Sequence, residues 1–190
     1  FLTTRPMEIE KKSFEIIKGE LGEEFVSRYP ADALPVLCRV IHTTADFSYR
    51  DTLTITDGAI GLAKEAIHRG LPIITDTTMA ASGINKTAAR KFGIDVHCFI
   101  GDEDVKEAAK ASGMTRSAVS AEKAARLYSE CIYAVGNAPT ALMRLYELIE
   151  EKKIRPALII GVPVGFVNVV EAKELILRTD VPAIVARGRK

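Results

Sequence analysis

Six short apolar runs, separated by segments of helical periodicity, restrict the fold of this chain more than any other feature. The runs cover residues 53–56, 71–75, 95–100, 131–136, 157–162 and 182–186. Helical patterns between several of them, such as 57–70, 138–153 and 168–179, are typical of βαβ units with a mostly parallel sheet. Because the runs are almost continuously apolar, helices are expected to cover both faces of that sheet.

The first quarter of the chain is predicted to be helical. Residues 6–28 and 35–46 both show helical spacing of apolar residues, and a proline suits the first turn of each helix. Residues 102–130 indicate two further helices, broken around Gly113. The sequence therefore predicts one α/β domain over residues 1–190, with a doubly wound, mostly parallel sheet and a helical N-terminal segment.

Charge and cysteine content restrict the partners and the compartment. Lysine and arginine number 26 against 25 acidic residues, so the basic surplus that nucleic-acid binding requires is missing. No apolar stretch approaches the roughly 20 residues of a membrane span, and residues 1–19 lack the pattern of a signal peptide.

Three scattered cysteines indicate reduced thiols in a cytoplasmic protein. The histidines are too widely spaced to predict a metal site.

The loops after three predicted strands form the expected ligand-binding edge, because open α/β sheets bind ligands beyond the carboxyl ends of their strands. These loops cover residues 76–85, 137–142 and 163–173 and are rich in glycine, proline and hydroxyl residues. Candidate ligand-binding residues are Asp76, Asn137, Thr140 and Gly165. Asn137 is a candidate helix N-cap and Thr140 a first-turn donor. Two interpretations stay open, namely a well-capped helix or donors for a carboxylate or phosphate.

The stretch CRVIHTTADF (38–47) supplies a candidate catalytic group. On one helix, Arg39 and His42 would be i,i+3 neighbours and His42 and Asp46 i,i+4 neighbours, so all three would share a face. A carboxylate favours the imidazolium and orients the ring, whereas an arginine opposes the charge. We therefore interpret His42 as a proton-transfer residue with Asp46 as its orienter. The alternative is a surface ion pair.

Several segments together resemble the precorrin-8X methylmutases of corrin biosynthesis. They are PMEIEKKSFEII (6–17), RVIH (39–42), PIITDTTMAASGI (72–84), TRSA (115–118), AVGNAPTAL (134–142), PALIIGVPVGFVNVVEAK (156–173) and the terminal GR. The order of these segments is that of the family across nearly the whole chain. The pairing of GNAPTAL with GVPVGFV at this spacing is specific to it.

The resemblance implies an isomerase that moves a methyl group to the adjacent carbon of a tetrapyrrole. The product would be hydrogenobyrinate from precorrin-8X, or cobyrinate from cobalt-precorrin-8. It also implies a homodimer that needs no redox or methyl-donor cofactor, with cobalt, where present, carried by the substrate. The family's proton donor and acceptor falls on His42, and its substrate contacts fall on Ser13 and Arg39. Arg116 is a further candidate for binding substrate carboxylates.

Two alternatives remain open at this point. Val169 and Val170 replace smaller residues of the family pattern, which suggests a protein of the same fold that binds a corrin without converting it. The donor-rich loops alone would also suit an unrelated α/β enzyme that acts on phosphorylated metabolites.

Overall fold

The computed structural model describes residues 4–190, and the chain divides into two compact units, Phe1–Leu53 and Thr54–Lys190. The described part of the first unit is helical, with α1 (Pro6–Leu21), α2 (Glu23–Arg28), α3 (Leu34–Thr44) and α4 (Tyr49–Thr52). The chain then enters the sheet of the second unit at β1 (Leu53–Ile55). The single domain over residues 1–190 stays a prediction.

The first unit is built on the packing of α1 against α3. The predicted helix over residues 6–28 is wrong in one respect, because it is interrupted at Gly22. That residue has φ = 86°, in the left-handed region that glycine adopts without steric cost. The side chains that α1 and α3 bury are apolar, and they are Ile17, Leu21, Leu37, Cys38 and Ile41. The unit thus has a small core of its own.

The second unit alternates strands and helices, as predicted. Its elements after β1 are α5 (Ala59–His68), β2 (Ile73–Thr75), α6 (Thr78–Gly83), α7 (Lys86–Lys91), β3 (Val96–His97), α8 (Glu103–Ser112), α9 (Arg116–Leu127), β4 (Ile132–Val135), α10 (Pro139–Glu150), β5 (Leu158–Gly161), α11 (Val169–Leu177) and β6 (Ala183–Ala186). All six predicted strands are therefore confirmed. The break between α8 and α9 also lies at Gly113, which caps α8 in the left-handed conformation.

The strands form one sheet in the order β1-β6-β5-β4-β2-β3. The pairs β2–β3, β2–β4, β4–β5 and β5–β6 are parallel, so the carboxyl ends of these strands meet at one edge. Tyr133 and Ile159 in the sheet and Leu142 and Leu145 in α10 are fully buried. None of the helices that residues 4–190 form is both long and apolar enough to span a bilayer.

One predicted loop contains a helix. Residues 76–85 were expected to form an open loop after β2, but Thr78–Gly83 form α6. The Thr77 hydroxyl accepts a hydrogen bond from the Ala80 N–H, which is the contact that an N-cap residue supplies. The small residues of this segment are compatible with a short helix, since alanine has a high helix propensity.

Candidate functional site

His42 is held by a hydrogen bond from another helix of the first unit. Ser13 lies on α1 and its Oγ is 2.7 Å from His42 Nδ1 on α3. Both side chains are partly buried. This bond fixes the plane of the imidazole, and it is the one hydrogen bond that His42 makes within residues 4–190. Nε2 therefore has no protein partner in this part of the chain and is the ring atom left to exchange a proton with a bound molecule.

Arg39 lies on the same helix as His42 but has a different partner. Its guanidinium donates to Glu10 Oε1 at 2.7 Å, and both side chains are about half exposed. The hydrogen bond from Arg39, and then its charge, hold the pKa of Glu10 below its usual value. The same hydrogen bond raises the pKa of Arg39. The guanidinium stays accessible, with further N–H donors available to a ligand.

Phe14 of α1 contacts both Arg39 and His42. The guanidinium carbon lies 4.9 Å from the centroid of the Phe14 ring. The imidazole meets the same ring edge to face, with centroids 5.7 Å apart and planes at 77°. The prediction that Arg39 and His42 lie on one face of the helix is thus supported, because a single aromatic ring contacts both.

Asp46 does not occupy the predicted position. Helix α3 ends at Thr44, and Ala45 adopts the left-handed conformation with φ = 53°. The i,i+4 geometry that would place Asp46 beside His42 is therefore absent, and Asp46 Oδ1 instead accepts the Ser48 N–H at 2.9 Å. The predicted helix over residues 35–46 is wrong at its end. The orienting contact at Nδ1 comes from Ser13, which is 29 positions away in the chain.

An open cavity of about 450 Å³ lies beside the Ser13–His42 pair within the first unit. Most of its wall is apolar, formed by Ile9, Ile16, Ile17, Ile41 and Phe47. Pockets that bind small molecules combine such apolar walls with a few placed polar groups, and about 300–1,000 Å³ is their usual volume. The cavity therefore suits an apolar ligand whose polar atom reaches His42. Within residues 4–190 no cluster of three potential metal ligands occurs.

Asp76 lies at the carboxyl end of β2 in the second unit, and its side chain is fully buried. Its Oδ1 accepts the Gly136 N–H at 2.9 Å, and its Oδ2 accepts those of Asn137 and Ala138 at 2.8 and 2.7 Å. These groups lie between β4 and α10. Asp76 therefore fixes the β4–α10 connection, and the prediction that it contacts a substrate directly is not supported.

The start of α10 differs in detail from the prediction. The N-cap position belongs to Ala138 and not to Asn137, because Asp76 supplies the acceptors that a capping side chain would offer. Asn137 is exposed one residue earlier. Thr140, in the first turn of α10, accepts a hydrogen bond from the Thr115 hydroxyl at 2.9 Å. That bond joins the starts of α9 and α10, so exposed Arg116, the first residue of α9, lies at the same edge.

Gly165 lies in the β5–α11 loop of the second unit. Its N–H donates to the Arg189 carbonyl at 3.1 Å, which connects this loop to the segment after β6. Val169, one of the two bulky residues behind the corrin-binding alternative, is 1% exposed and faces the interior. Its size therefore does not narrow a ligand site. Val164, Phe166 and Val167 are the exposed large apolar residues of this loop.

Sequence reasoning missed some of the contacts around His42 and around Asp76. Glu10 lies about one helical turn before Ser13, and Phe14 is the residue directly after it. The i,i+3 spacing on α1 could have indicated that Glu10 shares a face with Ser13. The role of Asp76 had no comparable signal, because its hydrogen bonds depend on a connection 60 to 62 residues further along the chain.

Comparisons with known proteins agree with this architecture. A family model described as precorrin-8X methylmutase matches residues 8–190. The chain is 42% identical to the cobalt-precorrin-8 methylmutase of Leptospira interrogans, over 100% of this chain and 88% of that protein. It is 40% identical to that of Priestia megaterium, over 100% and 83%. A precorrin-8X methylmutase structure from Thermus thermophilus matches with a TM-score of 0.87 and 38% identity, over 97% of this chain and 87% of that one. The chain belongs to the precorrin-8X methylmutase family.

Proposed function

We propose that this chain is an isomerase that moves a methyl group within a corrin precursor, converting precorrin-8X or cobalt-precorrin-8 to hydrogenobyrinate or cobyrinate. Family membership over residues 8–190 supports the reaction class. The relatives from Leptospira interrogans and Priestia megaterium are both named for cobalt-precorrin-8, which favours the cobalt-containing substrate. Cobalt would enter as part of the substrate, with no redox or methyl-donor cofactor.

The Ser13–His42 pair beside an apolar cavity is the observation that carries this proposal. His42 Nε2 gives a proton to the macrocycle, the methyl group migrates to the adjacent carbon, and the proton returns to Nε2. Atoms and charge balance, because the proton that Nε2 donates returns to it and the product is an isomer of the substrate. An imidazole suits this task because it exchanges protons readily near neutral pH. Ser13 holds the ring so that Nε2 meets one position of the substrate.

The substrate combines a flat apolar ring with peripheral carboxylates, and we propose contacts for both features. In the first unit, Ile9 and Ile16 supply apolar surface and Arg39 an accessible guanidinium. In the second unit, exposed Arg116 and Asn137 lie near the N-terminal turns of α9 and α10, where carboxylates are favoured. We propose that these residues bind the carboxylates.

Conversion of cobalt-precorrin-8 and of metal-free precorrin-8X by the full chain, followed by the change in macrocycle absorption, tests the proposal. His42→Asn is expected to lower kcat by about 10²- to 10⁴-fold, the usual contribution of general acid–base catalysis. His68→Asn is the matched control, because His68 is exposed at the end of α5 and is expected to leave kcat unchanged. Turnover by His42→Asn at the wild-type rate would exclude His42 as the proton donor.

We also propose a cytoplasmic homodimer. Cys38, Cys98 and Cys131 are free thiols, as expected in a reducing compartment. Met7 of α1 is 87% exposed and is not part of the cavity lining, so it offers apolar surface that a second copy of the chain would cover. Sedimentation analysis tests the dimer, and a monomeric mass at micromolar concentration would contradict it.

A further inference from the structure

Lys173 of α11 is a fully buried lysine whose side chain is held by main-chain oxygens. Its side chain is 0% exposed, and it is the one buried lysine among residues 4–190. Its Nζ donates to the main-chain oxygens of Gly188 at 3.0 Å and Lys190 at 2.6 Å. Burial lowers the pKa of the Lys173 ammonium to about 8. Burying an ammonium group costs free energy unless it is hydrogen-bonded. The two main-chain oxygens offset part of that cost, and the Lys173 side chain in turn holds residues 188–190.

The segment that Lys173 binds follows β6 and is held against α11 at a second point. Glu174, the next residue on α11, accepts two hydrogen bonds from the Arg187 guanidinium at 2.8 and 2.9 Å. The chain turns at Gly188, where φ = 81° lies in the left-handed region. Two adjacent residues of α11 therefore fix the path of residues 187–190.

The same segment positions the β5–α11 loop. The Arg189 carbonyl accepts the Gly165 N–H at 3.1 Å. The Arg189 guanidinium lies 5.5 Å from the centroid of the Phe166 ring, and that ring is 84% exposed. The Arg189 cation thus lies over one face of the exposed Phe166 ring, beyond the carboxyl ends of β5 and β6. Lys173 and the Arg187–Glu174 pair both tie this segment to α11.

We propose that Lys173 is a positioning residue, which holds residues 188–190 so that Arg189 and Phe166 together bind the carboxylate-bearing rim of the tetrapyrrole. The Phe166 ring packs against the apolar macrocycle, and the Arg189 guanidinium binds a peripheral carboxylate. This inference rests on the proposed function, because the rim of that substrate supplies both the flat apolar surface and the carboxylate. Neither Lys173 nor its two hydrogen bonds touches the substrate.

Amide hydrogen exchange of the substrate-free protein tests the positioning role without reference to activity. The Gly165 amide is expected to be protected in the wild type and to exchange at least about tenfold faster in Lys173→Met. The Ile159 amide, which donates to the Pro182 carbonyl at the centre of the sheet, is expected to be unchanged. Lys110→Met, an exposed lysine of α8, is the matched control. An unprotected Gly165 amide in the wild type would overturn the proposal.

Steady-state kinetics on cobalt-precorrin-8 tests the substrate contact. Lys173→Met is expected to raise KM about five- to tenfold with kcat within twofold of the wild type. Simple loss of folded enzyme would instead lower kcat at constant KM, and that result would overturn the positioning role. Arg189→Met, which alters an exposed side chain and leaves the core intact, is expected to raise KM to a similar extent. An unchanged KM in Arg189→Met would overturn the substrate contact.

The two measurements separate this inference from the proposed function. A wild-type chain that leaves both corrin precursors unconverted would refute the proposed function and the substrate contact together. Exchange at the Gly165 amide would then still decide whether Lys173 holds the two segments together.

Discussion

Replacing Asp76 by asparagine is expected to destabilise the second unit strongly, although the two side chains have nearly the same shape. The carboxylate is fully buried and accepts three backbone N–H groups through its two oxygens. Asparagine keeps one oxygen, which retains the most contacts in the place of Oδ2, where it accepts the Asn137 and Ala138 N–H groups. Its amide nitrogen then faces the Gly136 N–H, so one acceptor contact becomes a contact between two donors.

The size of the effect follows from that lost hydrogen bond. A hydrogen bond to a charged group contributes about 1.5–3 kcal/mol, so its loss lowers the unfolding free energy by at least that amount. The total stability of such a domain is about 5–15 kcal/mol, so the mutant is expected to unfold at a much lower urea concentration. The variant is also expected to expose the amides of residues 136–138 to hydrogen exchange.

Urea denaturation followed by far-ultraviolet circular dichroism measures this change. Asp57→Asn is the matched control, because Asp57 is exposed in a turn and its replacement is expected to change stability by less than about 0.5 kcal/mol. A loss below about 1 kcal/mol in Asp76→Asn would show that the three contacts do not hold the β4–α10 connection. The reasoning about Asp76 would then be wrong.

Two further predictions concern Ser13 and Lys173. Ser13→Ala removes the hydrogen bond at His42 Nδ1, which contributes about 0.5–1.5 kcal/mol, so kcat is expected to fall about three- to tenfold while KM stays constant. Ser27→Ala on α2 is the control, and a change in KM alone would contradict an orienting role. For Lys173, the folded pKa of about 8 lies below the unfolded value of roughly 10.4, so the unfolded state binds more protons between these values. The unfolding free energy is therefore expected to rise by about 2 kcal/mol from pH 7.5 to pH 10 relative to Lys173→Met, and parallel pH profiles of the two proteins would refute this.

The strands could be predicted from sequence because their signal is local. Each apolar run is bounded by polar or turn residues, and its burial on both faces leaves it apolar throughout, so no tertiary information was needed. Helix ends were less certain. The ends at Gly22 and Ala45 depend on single left-handed residues, and the spacing of apolar residues carries no information about such a conformation.

The sites were predictable only in part. Family motifs identified His42, Ser13 and Arg39, and the spacing on α3 correctly placed Arg39 and His42 near each other. Spacing also suggested Asp46, but that inference required the helix to continue beyond Thr44. Asp76 was identified by its position after β2, yet its role was misjudged because sequence does not show which way a buried carboxylate turns.

The sequence by itself determined the alternating α/β architecture and the family, and it made His42 the candidate proton donor. The architecture follows from local periodicity, and the family and the histidine follow from short sequence motifs that can be compared with those of the family. Only the tertiary structure decided which atoms meet. It placed Ser13 against His42 across 29 positions, Asp76 against the amides before α10 across 60 to 62, and Lys173 against the segment after β6. A hydrogen bond depends on distances of about 3 Å between groups far apart in the chain, and only the packing of helices and strands fixes those distances.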